Sequence, residues 1–313
     1  MLSRIADSLF WMNRYMERAD GLLRLTRTHY ILGMDSVVNG AMTWRSVLEI
    51  YETAPEKEMA LIQHNTEEAL KRILIASGKD NSLKSLIKRA RENARGAQDH
   101  LTKEVWEEIN QMFHLVNNPS VLHKLSTFQS MEVLEELTCH TVAYAGIIDI
   151  TMPRGTGWCF MGLGRYVERC LQTILLTEKQ LEVLNFSEND TNDILQWQHL
   201  LLSLSGYELY LKTYRSTNHN FNVLHQVLIS ENFSRSVLYS LNRIDHYLQK
   251  VVGNKKGSES QALLRSFGRL YGKVKYMELQ SLSPLEVQSS LGETKAELLD
   301  FTIQLEQQLF SYS

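Results

Sequence analysis

A chain of 313 residues, 43% of them hydrophobic, is long enough to build one large core or two ordinary ones without help from disulfides or metals. Its formal net charge of -3, with bases and acids interspersed, excludes a dedicated nucleic-acid binder, which concentrates basic residues on one face. Three cysteines, Cys139, Cys159 and Cys170, form an odd set with no C-x-x-C pair, which points to a reducing cytosol and to thiols used as buried packing residues.

The first predicted element is a helix. In MLSRIADSLFWMNRYMER, the charges of Arg4, Asp7, Arg14, Glu17 and Arg18 interrupt the apolar run that an export signal requires, so a cytoplasmic protein is expected. At 100° per residue, Ile5, Leu9, Met12, Met16, Ala19 and Leu23 form one apolar stripe, predicted to face the core. Arg14, Glu17, Arg18 and Gly21 lie opposite, flanked by Phe10, Trp11, Leu22 and Leu25. A helix apolar nearly all round is buried on both faces, so its charges are expected to be desolvated and to need partners.

Further along, apolar residues recur at three and four spacing, while period-two alternation is scarce, which predicts an all-α fold. The four prolines, Pro55, Pro119, Pro153 and Pro284, fall at expected breaks between helices. These breaks are placed near residues 52–57, 77–81, 117–120, 153–157, 187–192, 253–258 and 281–284. Asn81-Ser82 and Ser283-Pro284 are predicted helix starts, the second with proline in the first turn. Between them, ARENAR (90–95) and EVWEEIN (104–110) read as amphipathic helices, with Arg91 and Arg95 at i, i+4 and Glu92 able to pair with Lys88. Asn93, between charged neighbours, suits either a buried network or a ligand contact.

The segment PRGTGWCFMGLG, residues 153–164, is neither G-x-G-x-x-G nor G-K-[ST], which rejects a nucleotide fingerprint. Arg154 and the helix start beside it can receive an anion, whereas Gly162 and Gly164 are expected to allow close helix packing. A second motif helix follows, with Phe160, Leu163, Val167, Cys170 and Ile174 on its stripe and Arg165, Glu168 and Arg169 opposite. The ten histidines show no H-E-x-x-H or Cys/His spacing, so no metal is expected. Cys139 and His140 point about 100° apart on a helix, a poor nucleophile-base pair. Trp44, Trp106, Trp158 and Trp197 are expected as core anchors. No run approaches the roughly 18 to 20 apolar residues that a membrane-spanning helix needs.

The two motif helices also mark an internal repeat. FWMNRYMERADGLLRLT and MGLGRYVERCLQTILLT share R-Y-x-E-R, with Arg14 and Arg165 standing 151 apart. ILIASGKDNSL and VLISENFSRSV follow, 154 apart at Ile73 and Val227, and Trp44 and Trp197 stand 153 apart. Three landmarks in one order predict two related halves of about 150 residues, 1–152 and 153–313, packed as one body. In each half two guanidiniums and a carboxylate project to one side. Such a triad serves either as an internal Arg-Glu lock or as a carboxylate- or phosphate-binding site with glutamate as orienter or base.

MLSRIADSLFWMNRYMERAD, ARENAR with EVWEEIN, and GWCFMGLGRYVERC together resemble the bacterial Alpha-E domain family over essentially the full chain. The resemblance implies an all-helical protein encoded beside, or fused to, a circularly permuted ATP-grasp protein, often with a transglutaminase-like protein nearby. On this chain the family pattern falls on Arg14, Tyr15, Glu17, Arg18, Glu92, Asn93, Arg95, Trp158, Arg165, Glu168 and Arg169. Arg154 and Arg235 complete the candidate binding set. Glu17 and Glu168 are the candidates for a catalytic role. Family members commonly carry proline before the Arg235-Ser236 pair and near Asn81. This chain has Ser234 and Asp80-Asn81 there, and looser turns are expected. The function implied is that of a helical partner in ATP-dependent amide or peptide-bond formation, with ATP and Mg reaching it only through the ligase. The competing reading is a non-catalytic scaffold or oligomerisation module, and homo-oligomerisation is left open.

Overall fold

The computed structural model describes residues 2–34, 43–51, 56–76, 80–126, 129–184, 191–215, 218–252 and 257–310. Among these residues the chain is all-α, with no strand. No helix among them is long and apolar enough to cross a membrane. The expected breaks at 52–57, 77–81, 187–192 and 253–258 fall wholly or partly outside the described residues, as does Pro55.

The chain divides into two compact units. One comprises residues 11–153, and the other comprises residues 1–10 with 154–313. The first helix, α1 (Ser3–Met34), contributes its opening residues to one unit and the remainder to the other. Leu9, Met12, Met16, Ala19 and Leu23 of its stripe are at most 2% exposed. Arg14 and Glu17, opposite the stripe, are only 5% and 6% exposed, so the charges are desolvated as the flanking aromatics imply.

In residues 11–153, α1 is followed by α2 (Arg45–Tyr51), α3 (Glu56–Ile62), α4 (Thr66–Ile75), α5 (Leu83–Gly96), α6 (Lys103–Val116), α7 (Pro119–Leu125) and α8 (Ser130–Thr151). Ser82 caps α5 by accepting from the Ser85 amide, because a side-chain oxygen there satisfies an orphan N–H of the first turn. Pro119 opens α7 behind an Asn118 cap, where its missing N–H costs nothing. The α5 helix packs on α6, and α6 on α8. Tyr144 of α8 donates to Asn13 Oδ1 at 3.3 Å, and Thr141 donates to Asp20 Oδ1 at 3.0 Å, fixing the polar side of α1.

The other unit is built on α9 (Thr156–Leu184), with α10 (Thr191–Ser203), α11 (Tyr207–Thr213), α12 (His219–Leu224), a π-helical turn at His225–Ile229, α13 (Val237–Val252), α14 (Ser258–Lys275) and α15 (Pro284–Leu309). The α9 helix lies along α13 and also packs on α15. Both predicted close-packing glycines are used here. A Cβ on Gly164 would stand 2.1 Å from the Phe10 carbonyl oxygen, and one on Gly162 would stand 2.4 Å from the Tyr247 ring. Ser283 and Glu286 form a reciprocal capping box ahead of Pro284, so α15 starts where the sequence predicts.

Two expectations about single residues need correction. Cys139 is exposed, because it lies on the outer face of α8, although Cys159 and Cys170 are buried as expected. Trp44 and Trp197 are core residues at 5% and 3% exposure, but Trp106 and Trp158 are only half-buried because each lies against an arginine at the surface.

Candidate functional site

Within residues 11–153 the motif helix meets the start of α5. Arg18 Nη1 donates to Asn81 Oδ1 at 3.2 Å. One residue earlier in the chain, Asp80 forms an ion pair with Arg89, whose guanidinium lies 5.8 Å from the centre of the Tyr15 ring. The Arg14 guanidinium lies 4.5 Å from the Trp11 ring, and Trp11 and Tyr15 are ring neighbours at 5.5 Å. Arg89 thus spreads its charge over an aromatic face as well as onto a carboxylate, which lowers the cost of partial burial. Ser82 adds a bond from its hydroxyl to the Ala76 carbonyl at 2.8 Å.

The unit built on α9 repeats much of this geometry. Arg169 Nη1 donates to the Ser234 carbonyl at 3.3 Å. Thr173 donates to the Arg235 carbonyl at 2.7 Å. Ser236 donates to the Ser230 carbonyl at 2.6 Å and accepts from the Tyr239 amide at 2.9 Å, the same two bonds that Ser82 makes. The Arg243 guanidinium lies 5.6 Å from the Tyr166 ring and 5.0 Å from the Tyr247 ring. The paired tryptophans also match: Trp44 Nε1 donates to Thr66 at 3.1 Å and Trp197 Nε1 to Asn220 at 2.6 Å. At the two positions near which proline is missing, the Asn81 side chain and the Ser234 carbonyl each accept from a motif arginine.

The remaining candidates are spread out. Glu92 and Arg95 are exposed, with Glu92 3.9 Å from Lys88. Asn93 turns inward to its own helix and donates to the Arg89 carbonyl at 2.9 Å. Arg91 donates to Asn110 Oδ1 at 2.6 Å and lies 4.5 Å from the Phe113 ring, clamping α5 to α6. Arg154 is exposed and sits 3.7 Å over Trp158 at the start of α9. Glu168 and Arg235 are buried, at 3% and 8% exposure. Among the described residues no group of three or more His, Cys, Asp or Glu side chains is arranged to hold a metal ion.

Four participants escape the motif: Asp80, Arg89, Arg243 and Tyr247. Arg89 and Arg243 stand 154 apart in the sequence, the offset that separates Ile73 from Val227, and that spacing is the signal that could have found those two. Cys170 carries no reactive thiolate, since complete burial pushes its thiol far above the usual range.

Residues 1–310 match a family model described as a predicted alpha-helical domain with a conserved ER motif. This sequence carries Glu-Arg at Glu17-Arg18 and Glu168-Arg169. The chain is also similar to an uncharacterised protein of Mycobacterium bovis, 22% identical over 324 aligned positions that cover 94% of this chain. An uncharacterised protein of Mycobacterium tuberculosis matches at the same 22% over the same span. The alignment takes in only 35% of each of those proteins, so the chain spans about a third of their length. No solved structure matches. The match of the family model over residues 1–310 places this chain in the Alpha-E family.

Proposed function

We propose that this protein is the helical partner of an ATP-grasp ligase in ATP-dependent amide or peptide-bond formation, and that it presents a carboxylate-bearing substrate. The observation that carries this reading is Arg165. It is half-buried on the motif helix, one turn from Arg169, and no carboxylate among the described residues lies within ion-pair distance of it. A desolvated guanidinium without a counter-charge favours an anionic ligand, and its planar fork suits a carboxylate. The family's association with ATP-grasp proteins supplies the reaction class, with ATP and Mg held by the ligase. Glu17 and Glu168 are largely shielded from water, so in this reading they position the arginines.

The test is co-expression with a circularly permuted ATP-grasp protein. A co-eluting complex is expected, with ADP release that depends on an acidic peptide and falls at least tenfold in Arg165→Ala. Absence of a complex, together with ligase turnover indifferent to this chain, would refute the partnership. A second reading applies to residues 11–153, where Arg18 with Asn81 and Arg89 with Asp80 make a satisfied network. There the motif serves as a lock between helices, and Arg18→Ala lowers stability without altering ligase turnover.

A further inference from the structure

The residues beside the two tyrosine-arginine pairs differ in charge, Asp80-Asn81 beside one and Ser234-Arg235 beside the other. Tyr15 and Tyr166 stand 151 apart, Arg89 and Arg243 stand 154 apart, and the residue 154 beyond Asp80 is Ser234. Arg89 lies 5.8 Å from the Tyr15 ring and Arg243 lies 5.6 Å from the Tyr166 ring, so the cation is set on the aromatic face in the same way twice. Arg89 is neutralised by Asp80. At Ser234 a hydroxyl replaces that carboxylate, and among the described residues no carboxylate comes within ion-pair distance of Arg243.

The surroundings of Arg243 are built, and they leave part of its donor set unused. Its Nη2 donates to the Tyr247 hydroxyl at 2.6 Å, while its Nε is buried without a hydrogen-bond partner. Tyr247 stacks on Tyr166 at 6.1 Å and seats against Gly162, where any side chain would collide with the ring. Arg169 lies 5.0 Å from the same Tyr166 ring, and Arg165 acts electrostatically on the Tyr247 phenol. Burial raises the pKa of that phenol above its ordinary value against the pull of Arg243 and Arg165, so it remains a neutral donor.

We infer that the seam between α9 and α13 is an oxyanion site, in which Arg165 and Arg243 take a small dianion, a dicarboxylate or a phosphate group, beside the Tyr166 and Tyr247 rings. Two guanidiniums with no counter-carboxylate among the described residues match two negative charges, and partial desolvation strengthens their attraction to the ligand. The site in residues 11–153 is closed to such a ligand by Asp80, so only one copy of the repeat binds. This inference deepens the proposed function, on which its biological use rests. The binding itself belongs to the isolated chain and would outlast failure of the ligase partnership.

The experiment titrates the full chain with succinate and, separately, with inorganic phosphate, using calorimetry and thermal melting against sodium chloride at matched ionic strength. Saturable binding of at least one dianion is expected, with a rise in melting temperature that follows ligand concentration. Succinate alone would mark a dicarboxylate ligand and phosphate alone a phosphorylated one. Ser234→Asp restores the carboxylate found at Asp80 and is expected to weaken binding at least tenfold while the circular dichroism is unchanged. Asp80→Ser is expected to create a second binding event. No saturable binding beyond the chloride control, or wild-type affinity in both Ser234→Asp and a folded Arg243→Gln, would overturn the inference.

Discussion

Replacing Gly164 with alanine places a methyl carbon 2.1 Å from the Phe10 carbonyl oxygen and 3.0 and 3.2 Å from its carbonyl carbon and Cα. Ordinary contact begins near 3.4 Å, so the new carbon is about 1.3 Å too close. The obstacle is helix backbone, which no rotamer change can clear, and α9 must move off the start of α1. Phe10 is fully buried there, with its ring 5.3 Å from Phe310, and Phe310 lies 5.6 Å from Phe160. Overpacking of this kind costs roughly 1–3 kcal/mol. Alanine recovers about 1 kcal/mol of helix propensity. Because the clash is deep and with backbone, overpacking sits at the upper end of that range, and the expected balance is a loss of roughly 2 kcal/mol, or about 3–6 °C in melting temperature for a chain of this size. Gly268, inside α14 with nothing within 4 Å of its Cβ position, is the internal control. There the propensity gain stands alone, and Gly268→Ala should stabilise by about 0.5–1 kcal/mol. Urea unfolding followed by far-ultraviolet circular dichroism measures both. Equal or greater stability in Gly164→Ala, or shifts of the same sign in both variants, would refute the close approach of the two helices.

Three further outcomes are expected. Ser236→Ala removes a fully buried hydroxyl that both donates to Ser230 and caps the amide of Tyr239, and should cost about 1–2 kcal/mol in denaturant titration. In native protein one thiol, Cys139, should react quickly with an aromatic disulfide, while Cys159 and Cys170 react only on unfolding; three fast thiols would contradict their burial. Burial pushes His199 down to about 4, so folding favours its neutral ring. That contribution is fully present above the unfolded value near 6.5 and is lost as pH falls toward 4. With allowance for its partial exposure it amounts to roughly 1–2 kcal/mol. The melting temperature of His199→Gln should therefore fall less than that of the parent between pH 7 and pH 4.5, and parallel profiles would count against the shift.

Periodicity, flanking aromatics and helix-start chemistry reach the local structure directly. The α1 stripe, the caps at Ser82 and Ser283, and the desolvation of Arg14 and Glu17 depend on which residues lie three or four apart, and that is a property of the chain alone. The two glycines of α9 were legible as packing residues, but not the atoms they admit, because Phe10 and Tyr247 come from remote segments. The site divides along the same line. R-Y-x-E-R announces clustered charge, yet whether a charge is balanced depends on partners more than 60 residues away: Asn81 for Arg18, the Ser234 carbonyl for Arg169. Glu92 and Arg95 share a motif with Arg91, yet they face solvent while Arg91 clamps α6, since a helix turns consecutive residues to different surroundings. The sequence by itself determined that the chain is helical, where several helices begin, and that two helices carry buried-side charges. Only tertiary structure decided which of those charges are paired, because pairing is a matter of distance between segments that are remote in the chain.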